Sequence, residues 1–262
     1  MRFYKYQGTG NDFVMIDDRS RTFPADDYAL VRRLCDRRRG IGADGLILLR
    51  TLPDFDFEMV YYNADGYVGS MCGNGGRCTV AFAKQLGVIQ NQARFLAADG
   101  PHEASVDADG LVRLRMIDVA GQQEMPDGIF LNTGSPHIVR FLPASTLAEH
   151  NVYAEGRAVR FGEHFRERGG TNVNFVEEPQ QTGQPWQVRT YERGVEDETF
   201  SCGTGVTAVA LAAARRGAVS PVPLRTIGGD LSVSFALQAD GSFVDVYLNG
   251  PAEFVFEGNI AL

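Results

Sequence analysis

The feature that most constrains the fold of this chain is a motif that occurs twice. Residues 71–78 read MCGNGGRC, and residues 201–207 read SCGTGVT. A single gapless shift superimposes the two copies and matches further pairs on both sides of the cysteines: Tyr61 with Tyr191, Gly73 with Gly203, Gly75 with Gly205, and Gly87 with Gly217. Agreement at one fixed offset over this length predicts an internal duplication. We therefore expect two related halves, each carrying one of the two cysteines.

Each copy of the motif lies between a predicted strand and an apolar helix that ends at a glycine. The helix predicted over Val206–Arg216 is apolar on every side until its last turn, which is typical of a buried helix. We therefore predict an α+β fold with two pseudo-symmetric halves, each a curved, mostly antiparallel sheet wrapped around a central helix. Residues 1–119 are expected to form the first half, with Cys72, and residues 120–249 the second, with Cys202.

Composition argues against several classes of partner. A formal charge of −8 is unfavourable for nucleic acid or an anionic membrane surface as the main partner. No apolar run approaches the roughly 20 residues that span a bilayer. The N-terminus lacks a long apolar segment and reads directly as a strand rather than a secretory leader. We therefore expect a cytoplasmic protein with neither a nucleic-acid nor a membrane partner.

The cysteines are not arranged as metal ligands. The four cysteines form no C-x-x-C pair and the four histidines are scattered, so no metal site is expected. A structural disulfide is not expected in a cytoplasmic protein. Cys35 falls on an amphipathic helix predicted over Asp26–Arg39, where it is expected to be a small core residue. The remaining cysteines are expected to be buried thiols, reactive thiols or both.

Cys72 and Cys202 each come immediately before a helix. The N–H groups and the positive end of the dipole at that position lower the pKa of a thiol. The same N–H groups can bind an anion, and they belong to Gly73, Asn74, Gly75, Gly203, Thr204 and Gly205. If both turns face one cleft, a carboxylate held there has one sulfur on each side of its α-carbon.

This arrangement suits the inversion of an amino-acid α-carbon, because one thiolate can remove a proton from one face while a thiol returns one to the other. Pyridoxal phosphate usually acidifies such a proton, but the lysines Lys5 and Lys84 lie in no phosphate-binding context, so we expect no cofactor. A single cysteine at a helix start is more often packed than catalytic. Its presence in both halves favours catalysis, because packing does not require the same cysteine twice.

Further motifs connect the chain to a known family. Besides the two cysteine motifs, it contains GNDF at 10–13, GIGAD at 40–44, NADG at 63–66 and YERG at 191–194. Together these motifs extend over almost the whole chain, and in this combination the chain resembles the diaminopimelate epimerase family. The resemblance implies cofactor-independent interconversion of LL- and meso-diaminopimelate, in bacterial lysine and peptidoglycan synthesis. It also implies that residues 250–262 return to the N-terminal half, and it is compatible with a homodimer.

The resemblance assigns roles to individual residues. It implies that Cys72 and Cys202 are the two bases and that His137 and Glu192 flank the thiols. Gly73 and Asn74 in one half, with Gly203 and Thr204 in the other, would hold the α-carboxylate. The remaining implied substrate ligands are polar side chains: Asn11, Asn63, Ser135, Asn172, Glu192 and Arg193. Of these, Arg193 is the natural partner of the distal carboxylate.

Two positions depart from the pattern of some family members. Gly45 stands where some carry Gln, so no side-chain ligand is expected there. Ser135 stands where some carry Asn, and its shorter hydroxyl would bind directly or through water.

The sequence leaves two other functions as alternatives. Proline racemases and hydroxyproline epimerases resemble this chain in their Cys-Gly-x-Gly turns, but they typically carry His where Asn74 stands, and they need no distal arginine. The other alternative is a non-catalytic module that uses reactive thiols for redox sensing or small-molecule binding. Exchange of solvent deuterium into diaminopimelate separates these alternatives.

Overall fold

In the computed structural model, which describes residues 1–181 and 183–261, strands and helices follow one another in a similar order twice. The first series is β1 (Arg2–Gly8), β2 (Asn11–Asp17), α1 (Tyr28–Cys35), β3 (Gly45–Arg50), β4 (Phe57–Asn63), α2 (Gly73–Gln85), β5 (Gln92–Ala97), β6 (Gly100–Val106) and β7 (Val112–Arg115). The second series is β8 (Gln123–Met125), β9 (Gly128–Asn132), β10 (Pro136–Leu142), α3 (Val152–Arg160), α4 (Glu163–Arg166), β11 (Asn172–Glu177), β12 (Trp186–Glu192), β13 (Asp197–Thr199), α5 (Gly203–Ala214), β14 (Val222–Thr226), β15 (Gly229–Leu237), β16 (Phe243–Gly250) and β17 (Glu253–Asn259).

The chain separates into two units. One comprises Met1–Leu114 with Gly250–Leu262, and the other comprises Arg115–Asn249. The boundary between the two units lies after Leu114, slightly before the boundary expected after residue 119. The segment after Leu114 already belongs to the second unit, because the Met116 N–H donates to the Val246 carbonyl of β16 at 2.8 Å.

The two units pair their strands in the same pattern. The first unit has the order β17-β1-β2-β3-β4-β5-β6-β7, in which β2–β3 and β4–β5 are parallel and the other pairs antiparallel. The second has the order β8-β9-β10-β11-β12-β14-β15-β16, in which β10–β11 and β12–β14 are parallel and the other pairs antiparallel. The pattern from β1 to β7 thus recurs from β9 to β16. The prediction of two pseudo-symmetric α+β halves is confirmed.

A central helix occupies the same place in each unit. α2 packs against β1, β2, β3, β4, β6 and β17, and α5 packs against β9, β10, β11, β12, β14 and β15. Both helices end in the same way. Gly87 and Gly217 adopt positive φ angles of 69° and 92°, and the following N–H groups, of Val88 and Ala218, reach back to the last turn. Glycine favours this left-handed C-terminal conformation.

Several local elements differ from the sequence prediction. α1 covers Tyr28–Cys35 rather than Asp26–Arg39, because Asp27 caps it by accepting from the Leu30 N–H at 2.9 Å and the chain turns extended at Asp36. The elements α3, α4, β8 and β13 were not expected. For α4, β8 and β13 the reason is their length of three or four residues, which is too short to show a periodic pattern. α3 does have buried residues at helical spacing, Val152, Gly156 and Val159, and the sequence prediction missed it. Among the described residues, no helix combines the length and apolar character needed to cross a bilayer.

The burial of α5 leads to a stability prediction. Val209 is fully buried on this helix, so Val209→Ala should lower the free energy of unfolding by about 2–3 kcal/mol through lost apolar burial and a residual cavity. Val219→Ala is the matched control, because Val219 is 80% exposed and its truncation should change stability by less than about 0.5 kcal/mol. Urea denaturation of both variants measures the difference. Equal losses would contradict a buried α5.

Candidate active site

Cys72 and Cys202 occupy the N-cap positions of α2 and α5. Both have extended backbone, with φ near −111° and −114°, and neither makes a side-chain cap hydrogen bond. Helices prefer Ser, Thr, Asn or Asp at this position, because their side-chain oxygens satisfy the first N–H groups. Cysteine gives up that stabilisation. It leaves the N–H groups of the first turn, and the positive end of the helix, directed at a sulfur atom and its surroundings.

In the first unit, Cys72 is held by side chains from two elements. Its Sγ lies 3.5 Å from the Asn11 Oδ1, which also accepts from the Asn74 Nδ2 at 3.3 Å. The Asn11 Nδ2 in turn donates to the Asp44 Oδ2 at 2.7 Å. Asn11 begins β2 and Asn74 lies in the first turn of α2, so the β1–β2 hairpin positions an amide beside the thiol.

A group of charged residues fixes the outer side of this hairpin. Arg37 donates to both Asp12 (2.6 Å) and Asp44 (2.7 Å), and Lys5 pairs with Asp12 at 2.6 Å. Burial would raise the pKa of Asp12, but the hydrogen bonds and charges of Arg37 and Lys5 outweigh it and hold that pKa well below its usual range. Asp12 is therefore ionised at neutral pH, and Asp44 is oriented toward Asn11.

In the second unit, Cys202 is linked to a buried histidine through one hydroxyl. The Thr204 Oγ1 lies 3.5 Å from the Cys202 Sγ and 2.9 Å from the His137 Nε2. The Asn174 Nδ2 lies 3.2 Å from the His137 Nδ1 and also donates to the Ile138 carbonyl at 3.0 Å. Since the Asn174 amide nitrogen is a donor, the His137 Nδ1 accepts and its Nε2 carries the proton. The imidazole then donates to Thr204, whose hydroxyl hydrogen is available to the sulfur.

His137 is neutral in this arrangement. Burial, followed by the charge of Arg193, lowers the pKa of His137 from 6.5 to about 3. It therefore acts as a fixed hydrogen-bond donor at neutral pH, without bringing a positive charge to Cys202.

Three further expected residues meet in one cluster. The Asn172 Nδ2 and the Arg193 Nη2 both donate to the Ser135 hydroxyl, at 2.9 Å and 3.2 Å. The Asn172 Oδ1 accepts from the Arg193 N–H at 2.8 Å. Among the described residues, the Arg193 guanidinium makes no ion pair with a carboxylate, and its other hydrogen bond goes to the Gly169 carbonyl at 3.5 Å. The cluster thus presents a cation suited to an external anion.

Glu192 lies next to this cluster on β12. The Thr199 hydroxyl donates to its Oε2 at 2.8 Å. Burial raises the pKa of Glu192 above its ordinary value, and the bond from Thr199 opposes that change.

Hydrogen bonds connect the expected residues in a network within each unit. Asn11, Cys72 and Asn74 form the first, and Ser135, His137, Asn172, Arg193, Cys202 and Thr204 form the second. Asn63 is exposed at the end of β4, opposite Gly45 in the register of β3 and β4, and does not join the first network. A side chain at Gly45 would overlap the Tyr61 ring and the Tyr62 carbonyl, which explains the glycine there.

Sequence reasoning missed the residues that support these networks. Asn174 is fully buried and contacts His137, while in the first unit Arg77 donates to the Thr9 hydroxyl, which lies 3.4 Å from the Asn74 Oδ1. Two of these residues are unusual for their place in the sequence. Asn174 repeats Asn172 two residues later in an otherwise apolar strand, and Arg77 is a charged residue on a helix expected to be buried.

Comparison with known proteins places the chain among amino-acid isomerases. The family model of diaminopimelate epimerase matches residues 3–120 and 129–255. Diaminopimelate epimerase of Flavobacterium psychrophilum is 49% identical, over 99% of this chain and 100% of the relative. That of Aquifex aeolicus is 39% identical, over 100% of this chain and 98% of the relative.

Solved structures share the fold at low identity. A phenazine biosynthesis protein of the PhzF family from Bacillus anthracis has a TM-score of 0.79 at 11% identity, covering 100% of this chain and 99% of that one. A hydroxyproline epimerase from Agrobacterium vitis has a TM-score of 0.63 at 16% identity, covering 98% of this chain and 91% of that one. At these identities the likeness concerns the fold alone.

The low pKa of His137 leads to a stability prediction. In the unfolded chain a histidine takes up a proton near pH 6.5, whereas folded His137 does so only near pH 3. Its contribution to stability is therefore complete above pH 6.5 and is lost, by about 1.4 kcal/mol per pH unit, as the pH falls toward 3. His137→Gln should remove this part of the pH dependence, as measured by urea denaturation between neutral and acid pH.

The control for this measurement is His164→Gln. The His164 side chain is 45% exposed, so this variant shows how far the loss of a histidine at the surface alters the acid slope of the unfolding free energy. An identical slope in the wild-type chain and in His137→Gln would contradict a buried, neutral His137.

Proposed function

Because this chain belongs to the diaminopimelate epimerase family, it is an amino-acid epimerase that interconverts LL- and meso-diaminopimelate, and we propose that Cys72 and Cys202 are its two acid–base groups. We further propose that it acts in the cytoplasm, in the synthesis of lysine and peptidoglycan precursors. Its partner is the small-molecule substrate, and a second copy of the chain is the only macromolecular partner proposed.

The proposed reaction transfers two protons. One cysteine, as a thiolate, takes the α-proton from one face of the substrate carbon and becomes a thiol. The other cysteine, initially a thiol, gives its proton to the opposite face of the resulting carbanion and becomes a thiolate. The configuration inverts, the atoms and charges balance, and the enzyme is left with the protonation of the two thiols exchanged. The reverse reaction starts from that state.

The carbanion requires stabilisation on its carboxylate. We propose that the N–H groups of Gly73 and Asn74 on α2, and of Gly203 and Thr204 on α5, hold this group. Backbone donors fixed in advance at a developing negative charge contribute roughly 3–4 kcal/mol each in other enzymes. The positive ends of both helices add to the same effect.

The observation that carries this proposal is the N-cap cysteine at both central helices. In each unit the first helical turn is directed at a sulfur instead of at a capping oxygen. The immediate partners are amides and hydroxyls, Asn11 for Cys72 and Thr204 for Cys202. The Asn11 Oδ1 accepts from the Cys72 thiol, whereas the Thr204 hydroxyl can accept from a thiol or donate to a thiolate.

The cluster around Arg193 supports a substrate with a second carboxylate. We propose that Arg193 binds the distal carboxylate, with Ser135 and Asn172 fixing its guanidinium, and that Asn11, Asn63 and Glu192 bind the remaining polar groups of the substrate. A proline or hydroxyproline substrate has no second carboxylate for such a cation. The presence of Asn74 in place of the histidine typical of those enzymes also favours diaminopimelate.

Removing either thiol should abolish epimerisation. Cys72→Ala and Cys202→Ala should each lose turnover in both directions, because each direction needs one base and one acid. Each variant should still exchange the α-proton of one stereoisomer with solvent deuterium through its surviving base, as measured by NMR. Cys35→Ala is the matched control, since Cys35 is a buried core residue of α1 and its removal should leave turnover intact.

The two single variants decide the assignment. Turnover by either variant close to that of Cys35→Ala would contradict the two-base proposal. Exchange of the same stereoisomer by both variants would contradict the assignment of one thiol to each face.

Replacing Arg193 should cost activity without loss of the fold. Arg193→Ala should lower kcat/KM for diaminopimelate by at least about a hundredfold, because the distal carboxylate loses a charge-assisted pair of hydrogen bonds. Arg193→Lys should recover little, since an ammonium cannot reproduce the planar fork. The control is Arg168→Ala, at an exposed position of the same unit, which should retain activity. Wild-type kinetics for Arg193→Ala would mean that a group other than Arg193 binds the distal carboxylate.

A further inference from the structure

Glu196 lies in the turn that carries Arg193, between β12 and β13. Its N–H donates to the Glu192 carbonyl at 2.8 Å, and its Oε1 accepts from the Gly194 N–H at 3.1 Å. Its Oε2 accepts from the Tyr191 hydroxyl at 3.3 Å. Glu196 therefore makes hydrogen bonds to residues on both sides of Arg193 and fixes the backbone from which the Arg193 side chain extends.

The backbone of Glu196 is unusual for a glutamate. Its φ is 60°, in the left-handed region that residues other than glycine seldom adopt. The shift that superimposes the two cysteines places Glu196 on Gly66, whose φ is 97°. The first unit thus has glycine where the second has glutamate, although glycine adopts this conformation more easily. Such strain persists where the surrounding structure requires it, and what glutamate adds at this position is a carboxylate.

Arg160 connects this carboxylate to the end of α3. Its Nη2 and Nε donate to the Glu196 Oε1 at 2.9 Å and 3.2 Å, and its Nη1 donates to the Gly169 carbonyl at 3.1 Å. The guanidinium carbon also lies 4.7 Å from the centre of the Phe161 ring. The Arg160 side chain is only 14% exposed, and each nitrogen of its guanidinium has a partner. Arg160 is therefore fixed in one position.

The packing of α3 brings Arg160 to this place. Gly156 of α3 lies so close to Tyr191 of β12 that a Cβ on the glycine would come within 2.3 Å of the Tyr191 Cβ. Arg160 follows Gly156 by one helical turn, so the two lie on the same face of α3. Gly170 leaves the space that the guanidinium fills, since a Cβ there would lie 1.3 Å from the Arg160 Nη1. A side chain at either glycine would displace Arg160 from Glu196.

The segment that accepts from Arg160 also holds Arg193. The Gly169 carbonyl accepts from the Arg193 Nη1 at 3.5 Å as well as from Arg160. Further along the same segment, the Asn172 Oδ1 accepts from the Arg193 N–H at 2.8 Å. The Arg193 turn is therefore held by Glu196 from within and by residues 169–172 from outside, and Arg160 bonds to both.

Glu196 also makes the two guanidinium groups different. Burial would raise the pKa of Glu196, but the hydrogen bonds from the Gly194 N–H and from Arg160 outweigh it and hold this pKa below its ordinary value. Glu196 is therefore ionised at neutral pH, and its charge offsets that of Arg160. Arg193 shares the Gly169 carbonyl with Arg160 but makes no ion pair among the described residues. Of these two cations, only Arg193 is left for an external anion.

The neighbouring acidic residues of β13 do not share this role. Asp197 is exposed, and its carboxylate accepts from the Glu198 N–H at 2.7 Å. Glu198 pairs with Arg189 at 2.6 Å. Glu196 is thus the carboxylate of this stretch that pairs with Arg160.

We propose that Glu196, together with Arg160, is a positioning residue for Arg193. The Glu196 carboxylate fixes the turn and offsets the charge of Arg160, so Arg193 is held in advance as the cation that receives the distal carboxylate. A group fixed in advance binds its ligand without the entropic cost of ordering it. The inference rests on the proposed function, because it takes Arg193 as the ligand of the distal carboxylate. Neither Glu196 nor Arg160 is proposed to touch substrate.

Steady-state kinetics test this role. Glu196→Gln keeps the shape of the side chain and removes its charge, so it should raise KM for diaminopimelate about tenfold while changing kcat by less than about threefold. Glu196→Asp, which keeps a carboxylate, should recover part of the loss. Asp197→Asn is the matched control, because it removes a negative charge from the next residue without touching Arg160. A wild-type KM in Glu196→Gln, or an equal rise in Asp197→Asn, would overturn the proposal.

Hydrogen–deuterium exchange follows the turn itself in the substrate-free, full-length protein. Mass spectrometry of peptides covering residues 192–199 should show faster exchange in Glu196→Gln than in the wild type, because the Gly194 N–H loses a charged acceptor. Peptides from α5 should exchange at the wild-type rate. Unchanged exchange in residues 192–199 would contradict the proposal even if KM rose, since the turn would then not depend on the carboxylate.

Glu196→Gly covers the case in which Glu196→Gln does not fold. Glycine suits the backbone here, as Gly66 shows at the equivalent position of the first unit, and the substitution still removes the carboxylate. A purely structural role predicts a wild-type KM for Glu196→Gly, whereas a positioning role predicts a raised one. A wild-type KM in this variant would overturn the inference.

Arg160→Met tests the partner of Glu196. Arg160→Met and Glu196→Gln each leave one charge without its counter-charge, so the double variant should have a kcat/KM no lower than that of the worse single variant. Losses that multiply in the double variant would mean that the two residues act separately, and would contradict their role as a pair.

These outcomes are distinct from a failure of the proposed function. If Cys72→Ala and Arg193→Ala lose activity as expected while Glu196→Gln keeps the wild-type KM, the function stands and the inference is wrong. Wild-type kinetics for Arg193→Ala would contradict the proposed binding of the distal carboxylate and, with it, the role of Glu196.

Discussion

The attraction between a helix N-terminus and a sulfur atom is the interaction on which the rest of this structure depends, and it occurs twice. Cys72 and Cys202 stand where a helix would ordinarily have a capping oxygen, so both central helices begin with N–H groups that no cap side chain satisfies. Each unit surrounds its helix with strands in the same order of parallel and antiparallel pairs. The lost cap is thus offset by the burial of a whole helix.

The two halves share a backbone but differ in how they treat their thiols. Near Cys72, amides connect the sulfur to a buried guanidinium, whereas near Cys202 a threonine hydroxyl connects it to a neutral imidazole. Two identical thiols would give a symmetric pair with no preferred resting state. The different surroundings make the two thiols chemically unequal.

Much of this could be predicted from the sequence, because the decisive signals are local. The Cys-Gly turns, the apolar helix and the closing Gly217 lie close together along the chain and repeat, so they predicted the helices and the two-half fold. The supporting contacts could not be predicted in the same way. Thr9 and Arg77 are far apart in sequence, and each alone resembles a turn residue or a charged helix residue. Their contact forms only when the β1–β2 hairpin packs on α2 and buries the guanidinium.

The most direct test of the two-base account is the fate of solvent hydrogen in the wild-type enzyme. LL-diaminopimelate is incubated with the protein in D₂O, without added cofactor, and substrate and product are analysed by NMR and mass spectrometry during the first few per cent of reaction. The thiols exchange with solvent, so a two-base mechanism predicts meso product with one deuterium at the inverted carbon and remaining LL substrate that is still unlabelled. Deuterium appearing equally fast in unreacted substrate and in product would mean that a single base serves both faces, and would contradict the account.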